Sequence, residues 1–513
     1  MKLKNILLSS LVFGGLMFSS CTGFLDEDSN PNTLSPSVFW KNESDIEKGL
    51  VSVYAALQPN QAWAAPFKRH IVIDCYRSDL LRYRPDVGSW GSLANFTNTS
   101  TNGTAEGEWK NCYKGISYAN QCLDNIPNVP ENSSDVAQLK KQAMAEARFL
   151  RAYYYFRLYR NWGERIPMFT KQIEGKDEEF NPAQANEGEI LKLIETDMIA
   201  CQDDLPESYP AEYAGRVTKY TAAAMLGRFY MFTHQMKKAE DEFAKVIKSG
   251  RYELMENYED NFDGLHKNNK ESLFEVQFSG DRTGGRSEYH WIMYHLCPLD
   301  APMGGYEEAY PSQWFFDMMK KNELAASGEH KYSQRMYATL LFNDEGCSAF
   351  YFDEGKHFLD YHQPKTYYWK KYVSWNEDLI PDPDRSAFNV MIMRYSDVLL
   401  SYAECLNDRN ATAEAIDYIN IVRKRANVTL LDKGMSKDAV LKHLQDVERP
   451  AEFALEGTRW YDLLRWGITE KALKDHNKEF VENYIDSKHR LLPIPHSEFL
   501  LNPDWVQNPN HGK

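Results

Sequence analysis

The chain has 513 residues, and its 59 lysines and arginines stand against 74 aspartates and glutamates, which gives a formal net charge of −15. A chain of this length can bury a large core without disulfide or metal cross-links. Its acidity argues against a nucleic-acid partner, because phosphates bind to basic surfaces. Hydrophobic residues make up 43% of the chain, which excludes a wholly disordered protein.

The N-terminus predicts an export signal over residues 1–20. Two lysines precede an apolar run, 6–18, that is too short to span a membrane as a stable helix. Two serines then lead to Cys21, which favours a lipoprotein acylated on that cysteine. The alternative is an ordinary cleaved signal beside an incidental cysteine. Residues 21–40 are predicted to form a lipidated tether, and 41–513 a single folded body.

The chain has eight cysteines, and Cys21 leaves an odd number of seven with no CxxC motif among them. This pattern predicts neither a disulfide framework nor a zinc site. Most of these cysteines are expected to be small buried hydrophobes. One or two disulfides stay possible, and their pairing is open.

Helical periodicity is the main signal along the body. One helix is predicted with Asp135 as its N-cap and its end at Trp162–Gly163, because apolar residues recur every three or four positions at Val136, Leu139, Ala143, Ala147, Leu150, Tyr154 and Leu158. Further helices are predicted over about 187–205, 218–234, 237–249, 390–406, 411–426 and 437–464. Short turns between them favour tetratricopeptide-like helical hairpins that stack into a curved scaffold.

Three regions instead predict long loops with short strands: 60–105, 265–310 and 340–390. They are rich in turn-forming residues, with aromatic residues between them. Long loops on a rigid scaffold are commonly functional. The fold class is therefore mainly α, with the helical scaffold packed against a loop-rich half.

Several sequence blocks, in order along nearly the whole body, resemble the SusD/RagB family of Bacteroidetes outer-membrane nutrient-binding lipoproteins. They are 21–26, 109–120, 145–154, 163–167, 215–224, 394–404, 448–467, 492–495 and 502–509. The resemblance implies an N-terminal part over about 22–235 and a C-terminal part over about 236–513. Pro450 departs from the family, which usually has Arg or a similar residue there, and predicts that the helix bends or restarts near 446–449.

The resemblance also implies a function. Such proteins lie lipid-anchored on the outer surface of the outer membrane, where they close over a SusC-like TonB-dependent transporter. They bind oligosaccharides, or sometimes peptides, and pass them to the transporter, and they are neither enzymes nor cofactor proteins. The alternatives are peptide or other nutrient binding, a glycoside hydrolase, and a scaffold whose loops serve only transporter closure.

Charged blocks on two predicted helices allow a catalytic or a structural interpretation. They are Glu146, Arg148 and Arg151 on the first, and Glu448, Arg449, Glu452, Glu456, Arg459 and Asp462 on the second. The structural interpretation is favoured, because helical charges usually pair with each other or face solvent. No hydrolase, phosphate-binding or dinucleotide motif is present, and no catalytic or metal-ligating residue is predicted.

The aromatic loops are the better candidates for a binding site. Sugars offer apolar faces to aromatic rings and hydroxyl groups to polar side chains. In the family, loops at these chain positions flank the ligand, so the predicted ligand-binding residues are Arg77, Asp79, Trp90, Asn95, Trp291 and Tyr294. For each aromatic residue, core filling or a transporter contact is the alternative. Trp314 lies in a segment that resembles a structural part of the family and is predicted to be core.

Overall fold

The fold is described from a computed structural model, whose described residues are 39–58, 67–84, 86–173, 182–279, 290–300, 304–347, 357–373 and 386–513. The predicted signal, Cys21 and nearly all of the predicted tether lie outside these residues. Within them, no helix is both long and apolar enough to cross a membrane.

Helices dominate the described residues, as the periodicity predicts. In chain order they are α1 (Glu43–Ala55), α2 (Ser89–Ala94), α3 (Gly103–Asn125), α4 (Ser134–Trp162), α5 (Glu189–Ala200), α6 (Lys219–Phe232), α7 (Met236–Ser249), α8 (Ile292–Leu296), α9 (Gln313–Asn322), α10 (Gln334–Thr339), α11 (Tyr395–Asp408), α12 (Thr412–Ala426), α13 (Lys437–His443), α14 (Arg449–Phe453), α15 (Arg459–Trp466), α16 (Thr469–Asp475), α17 (Asp486–His489) and α18 (His496–Leu501).

Consecutive long helices pack against each other. Helix α3 packs on α4, α4 on α5, α6 on α7 and α11 on α12, and α7 also packs on α11. These pairs are the stacked helical hairpins that the sequence predicts. The α6–α7 pair spans the predicted division near residue 235, and that division stays a prediction.

Helix α4 shows how local sequence sets the bounds of an element. Its N-cap is Ser133, whose hydroxyl accepts a hydrogen bond from the Val136 amide at 3.3 Å. Asp135, the predicted N-cap, lies inside the first turn instead. The helix ends at Trp162 as predicted, because Gly163 adopts a φ of 73° that side-chain-bearing residues rarely take.

Glu146 and Arg151, two buried charges of α4, have polar partners inside the protein, as the structural interpretation predicts. Glu146 accepts hydrogen bonds from the hydroxyls of Tyr54 and Tyr209 at 2.6 and 2.8 Å. Arg151 donates two hydrogen bonds to Asp197 at 2.7 and 2.9 Å. These contacts fix α4 against its neighbours.

Within the described ranges, the strands pair as three two-stranded antiparallel ribbons. Strands β1 (Leu81–Tyr83), β2 (Ser272–Val276), β3 (Ala309–Pro311), β4 (Leu340–Phe342), β5 (Tyr367–Trp369) and β6 (Val390–Arg394) pair as β1–β3, β2–β6 and β4–β5. The helix predicted over 390–406 therefore begins only at Tyr395. Its first five residues pair with β2, a contact more than a hundred residues away that periodicity does not reveal.

The single helix predicted over 437–464 is wrong. Helix α13 runs into a π-helical turn at Leu444–Glu448, α14 follows, and α15 starts after a break. The irregular turn directly precedes Pro450, which lacks the amide proton that a regular helix needs there. Helix α14 begins at Arg449, which confirms the restart that Pro450 predicts.

The seven cysteines of the body are all buried: Cys75, Cys112, Cys122, Cys201, Cys297, Cys347 and Cys405. Their predicted role as small buried hydrophobes is confirmed. The disulfides that the sequence left open are not formed between them.

Candidate functional site

The structure brings together aromatic rings from two loop regions about two hundred residues apart. Trp90, on α2, has its ring centroid 5.4 Å from that of His295, on α8. His295 lies 5.4 Å from Tyr306, which lies 4.5 Å from Tyr294. Trp291 completes the group at 5.9 Å from Tyr294. These five residues are called the aromatic surface below.

The aromatic surface has an open side and a buried base. Trp90, Trp291, Tyr294 and Tyr306 are half-buried, so part of each side chain faces solvent. His295 is only 1% exposed and stacks on the core residue Phe67 at 4.4 Å. Burial lowers the pKa of His295 to about 3, and the nearby Lys68 and Arg84 add to this shift. The imidazole is therefore a neutral spacer between the exposed rings.

The sequence did not predict Tyr306 as a site residue. Backbone hydrogen bonds place it in the aromatic surface. The Tyr306 amide donates to the Tyr294 carbonyl at 2.9 Å, and the Glu308 amide donates to the His295 carbonyl at 2.8 Å. Gly305 allows this approach, since a Cβ on it would lie 2.4 Å from the Cys297 carbonyl oxygen. The Gly304–Gly305 pair is the sequence signal that could have indicated Tyr306.

Charged groups form one edge of the aromatic surface. The Lys68 ammonium lies 5.7 Å from the Trp90 ring centroid. Arg84 donates to the Tyr306 carbonyl and pairs with Asp86 at 2.6 Å and with Glu308 at 3.6 Å. This edge offers donors and acceptors beside the rings, as hydroxyl-bearing ligands require.

The carboxyl group of Glu308, at this edge, has a raised pKa. Burial raises the pKa of its carboxyl group to about 7, although Arg84 acts in the opposite direction. At neutral pH, Glu308 therefore exists in both the protonated and the ionised form, so it can donate or accept a hydrogen bond.

Asn95 lies at the C-terminal end of α2, the helix that carries Trp90. Its side chain is half-buried and accepts hydrogen bonds from the Thr97 amide at 3.3 Å and the Thr97 hydroxyl at 2.6 Å. The side chain thus shapes the loop after α2.

The prediction that Arg77 and Asp79 contact a ligand is corrected by their burial. Both are interior residues, and each is 1% exposed. The Arg77 guanidinium lies 4.8 Å from the Trp460 ring centroid and donates to Asn161. Asp79 accepts two hydrogen bonds from Arg459, at 2.8 and 2.7 Å, and one from His476 at 2.7 Å. Because both side chains lie inside the protein, they are not part of the candidate binding surface.

A cluster of two aspartates and one histidine, outside the aromatic surface, consists of residue types that could hold a cation. Among the described residues, Asp260, Asp263 and His266 have ligand atoms within 4.8 Å of one another. The Asp263 carboxylate already accepts from the His266 ring at 2.7 Å and from two backbone amides. These contacts account for the cluster without an ion.

Comparison with known proteins agrees with this architecture. A family model described as "SusD family" matches residues 270–511, and one described as "Starch-binding associating with outer membrane" matches residues 23–231. The chain belongs to the SusD/RagB family. One relative, SusD-like protein P25 of Formosa agariphila, is 27% identical over 541 residues, covering 99% of this chain and 98% of the relative.

Solved SusD-family structures share the fold. A SusD superfamily protein from Bacteroides vulgatus superposes with a TM-score of 0.81 at 26% identity, covering 92% of this chain and 99% of that one. A "Laminarin binding SusD-like protein" superposes with a TM-score of 0.74 at 26% identity, covering 92% of this chain and 100% of that one. The mainly helical scaffold with a loop-rich half is therefore the SusD fold, as predicted.

Proposed function

We propose that this SusD-family protein binds a neutral oligosaccharide on its aromatic surface. The proposal depends on the contacts that join the aromatic surface: the ring of Trp90 connects to Trp291 and Tyr294 through the rings of His295 and Tyr306. Two basic residues, Lys68 and Arg84, lie at its edge. Rings that are open on one side suit the apolar faces of sugars, and the charged edge suits their hydroxyl groups. The laminarin-binding relative supports a glycan ligand.

Two features favour a neutral ligand of modest affinity. The net charge of −15 disfavours a polyanionic glycan through long-range repulsion. Sugar hydroxyls lose hydrogen bonds to water on binding, which offsets much of the gain from ring contacts. Modest affinity suits a protein that must release its ligand to another.

The site is tested by calorimetry and affinity electrophoresis against laminarin, starch, xylan and the polyanion alginate. We expect at least one neutral glycan to bind, and we expect Trp90→Ala/Trp291→Ala to weaken that binding by about tenfold or more, because two platforms are removed. Tyr213→Ala is the matched control: it removes a ring that is 40% exposed and contacts Arg216 rather than the aromatic surface.

Binding that survives the double substitution would place the glycan elsewhere. Binding of peptides, with none of the four glycans, would overturn the glycan proposal in favour of peptide capture. Release of reducing ends during the incubation would show catalysis, whereas we infer that the protein acts by binding alone.

We further propose that Cys21 carries a lipid anchor that holds the body on the outside of the outer membrane, and that the ligand passes to a SusC-like TonB-dependent transporter. The family description of outer-membrane association supports this location. The test is co-purification of such a transporter with the wild-type chain from detergent-solubilised outer membranes. Loss of the protein from the membrane fraction in Cys21→Ser is expected, and its retention would contradict the anchor.

A further inference from the structure

A groove of about 630 Å³ lies beside the β1–β3 ribbon. This volume is within the range of about 300–1,000 Å³ that is usual for ligand sites. It is called the ribbon groove here, and its lining includes Arg82, Trp314, Asp317, Lys321, His476 and Glu479. None of these residues belongs to the aromatic surface.

The ribbon itself connects the groove to the aromatic surface. Arg82 lies opposite Tyr310, and the Arg84 amide donates to the Glu308 carbonyl at 3.1 Å. Alternation along a strand puts Arg82 and Arg84 on the same face, about 7 Å apart, while Leu81 and Tyr83 are buried on the other. One half-buried ribbon face thus runs from the groove at Arg82 to the charged edge at Arg84.

Arg82 is a fixed donor at the groove. Its guanidinium carbon lies 4.6 Å from the ring centroid of Tyr310 and 6.0 Å from that of Tyr367, which in turn stacks on Phe316 at 4.1 Å. One of its terminal nitrogens donates weakly to the Tyr367 hydroxyl at 3.4 Å. A planar donor held between rings suits a ligand oxygen.

Trp314 forms a rigid wall of the groove. It is half-buried rather than core, which corrects the sequence prediction. Its ring stacks on that of His476 at 3.7 Å, with an angle of 14° between the planes. His476 is fixed in turn by its 2.7 Å hydrogen bond to Asp79, which Arg459 also holds. The buried Asp79 therefore supports this wall without reaching the surface.

The charges of the groove are balanced. The lining contains the basic residues Arg82 and Lys321 and the acidic residues Asp317 and Glu479. The Asp317 carboxylate accepts a hydrogen bond from Gln313 at 3.0 Å. A mixture of donors and acceptors around an aromatic ring suits a neutral polyhydroxyl chain better than a polyanion or a polycation.

We propose that the ribbon groove is a second saccharide subsite that takes further units of the glycan bound at the aromatic surface, along the face of the β1–β3 ribbon. The inference rests on the proposed function, since it extends the same ligand. It predicts that affinity depends on chain length, because we expect a chain of six sugars to reach both places and a chain of two sugars to occupy only one.

The test compares two-sugar and six-sugar fragments of laminarin, starch and xylan by calorimetry. Trp314→Ala and Lys321→Ala are expected to weaken six-sugar binding by about fivefold or more and to leave two-sugar binding unchanged. Lys321 is exposed, so its substitution keeps the test valid if Trp314→Ala fails to fold. Lys320→Ala is the matched control, because it removes the same charge from the neighbouring position of α9, outside the groove lining.

The outcomes separate the two proposals. If Trp90→Ala/Trp291→Ala abolishes six-sugar binding while both groove variants bind like the wild type, the subsite is overturned and the aromatic surface stands. If no fragment and no parent polysaccharide binds to the wild type, both proposals fail. If Lys320→Ala weakens binding as much as Lys321→Ala, the effect is general electrostatics and the subsite is overturned.

Discussion

Asp79 shows that the composition of a loop does not reveal whether one of its residues is buried or exposed. The polar and aromatic composition of the loop after α1 predicts a functional region, and the structure places Trp90 of this loop beside His295 of the aromatic surface. Arg77 and Asp79 have the same favourable chemistry but lie inside the protein. Asp79 is hydrogen-bonded to Arg459, and the Arg77 guanidinium lies over the Trp460 ring; both partners are nearly four hundred residues away in sequence. Composition cannot distinguish these cases, because burial depends on tertiary packing.

Asp79→Ala is expected to lower the free energy of unfolding by about 3–5 kcal/mol, because it leaves the buried charge of Arg459 unpaired. Urea unfolding at neutral pH measures this loss. Asp475→Ala is the control, since Asp475 forms an exposed ion pair with Lys471 and its removal should change stability by less than about 0.5 kcal/mol. Equal stability of the two variants would contradict the structural role of Asp79.

At the scale of elements, long periodic segments were predictable and short paired ones were not. Helices α4, α6 and α12 lie within a few residues of their predicted bounds, because each repeats an apolar face over many turns. Strands β1 and β3 have three residues each and depend on a partner more than two hundred residues away. Such pairing leaves no periodic pattern, so the ribbon between the two candidate subsites could not be found from sequence.

Gly305 sets the position of Tyr306 and provides a test of the link between element and site. Gly305→Ala places a Cβ against the Cys297 carbonyl, so the loop must shift and Tyr306 should move away from Tyr294. We expect glycan affinity to fall by about tenfold while helix content, measured by circular dichroism, is unchanged.

Gly107→Ala is the matched control for this change. Gly107 lies in α3, where a Cβ meets nothing within 4 Å. The substitution should keep the affinity and raise stability by about 0.5–1 kcal/mol, because alanine favours helix. Unchanged affinity in Gly305→Ala would remove Tyr306 from the proposed site.

At the scale of the whole molecule, a buried ionic network joins segments that are far apart in sequence. Arg335 donates to Glu323 at 2.6 and 2.7 Å, to Glu448 at 2.8 Å and to Glu452 at 3.0 Å. Arg394 also bonds to Glu452, and both arginines are fully buried. Glu448 and Glu452, from the charged block that allowed a catalytic interpretation, are thus part of this network, as the structural interpretation predicts.

The network makes stability depend on acid pH. Burial alone would raise the pKa of Glu452, but Arg425, Arg394 and Arg335 hold it at about 2. In the unfolded chain the same group has a pKa of about 4.5. Because the unfolded state takes up the proton first, the stabilisation is present at neutral pH and is lost as the pH falls from about 4.5 towards 2.

We therefore expect the free energy of unfolding in urea to fall by about 2–3 kcal/mol through Glu452 alone between pH 6 and pH 2.5. Glu452→Gln should be less stable at pH 6, because it leaves buried arginines undercompensated, and its stability should depend less on pH over this range. Glu470→Gln, which removes only an exposed pair with Lys474, should follow the wild-type profile. If Glu452→Gln kept the full pH dependence, Glu452 would not be the titrating group, and the acid sensitivity would have to come from the other carboxylates.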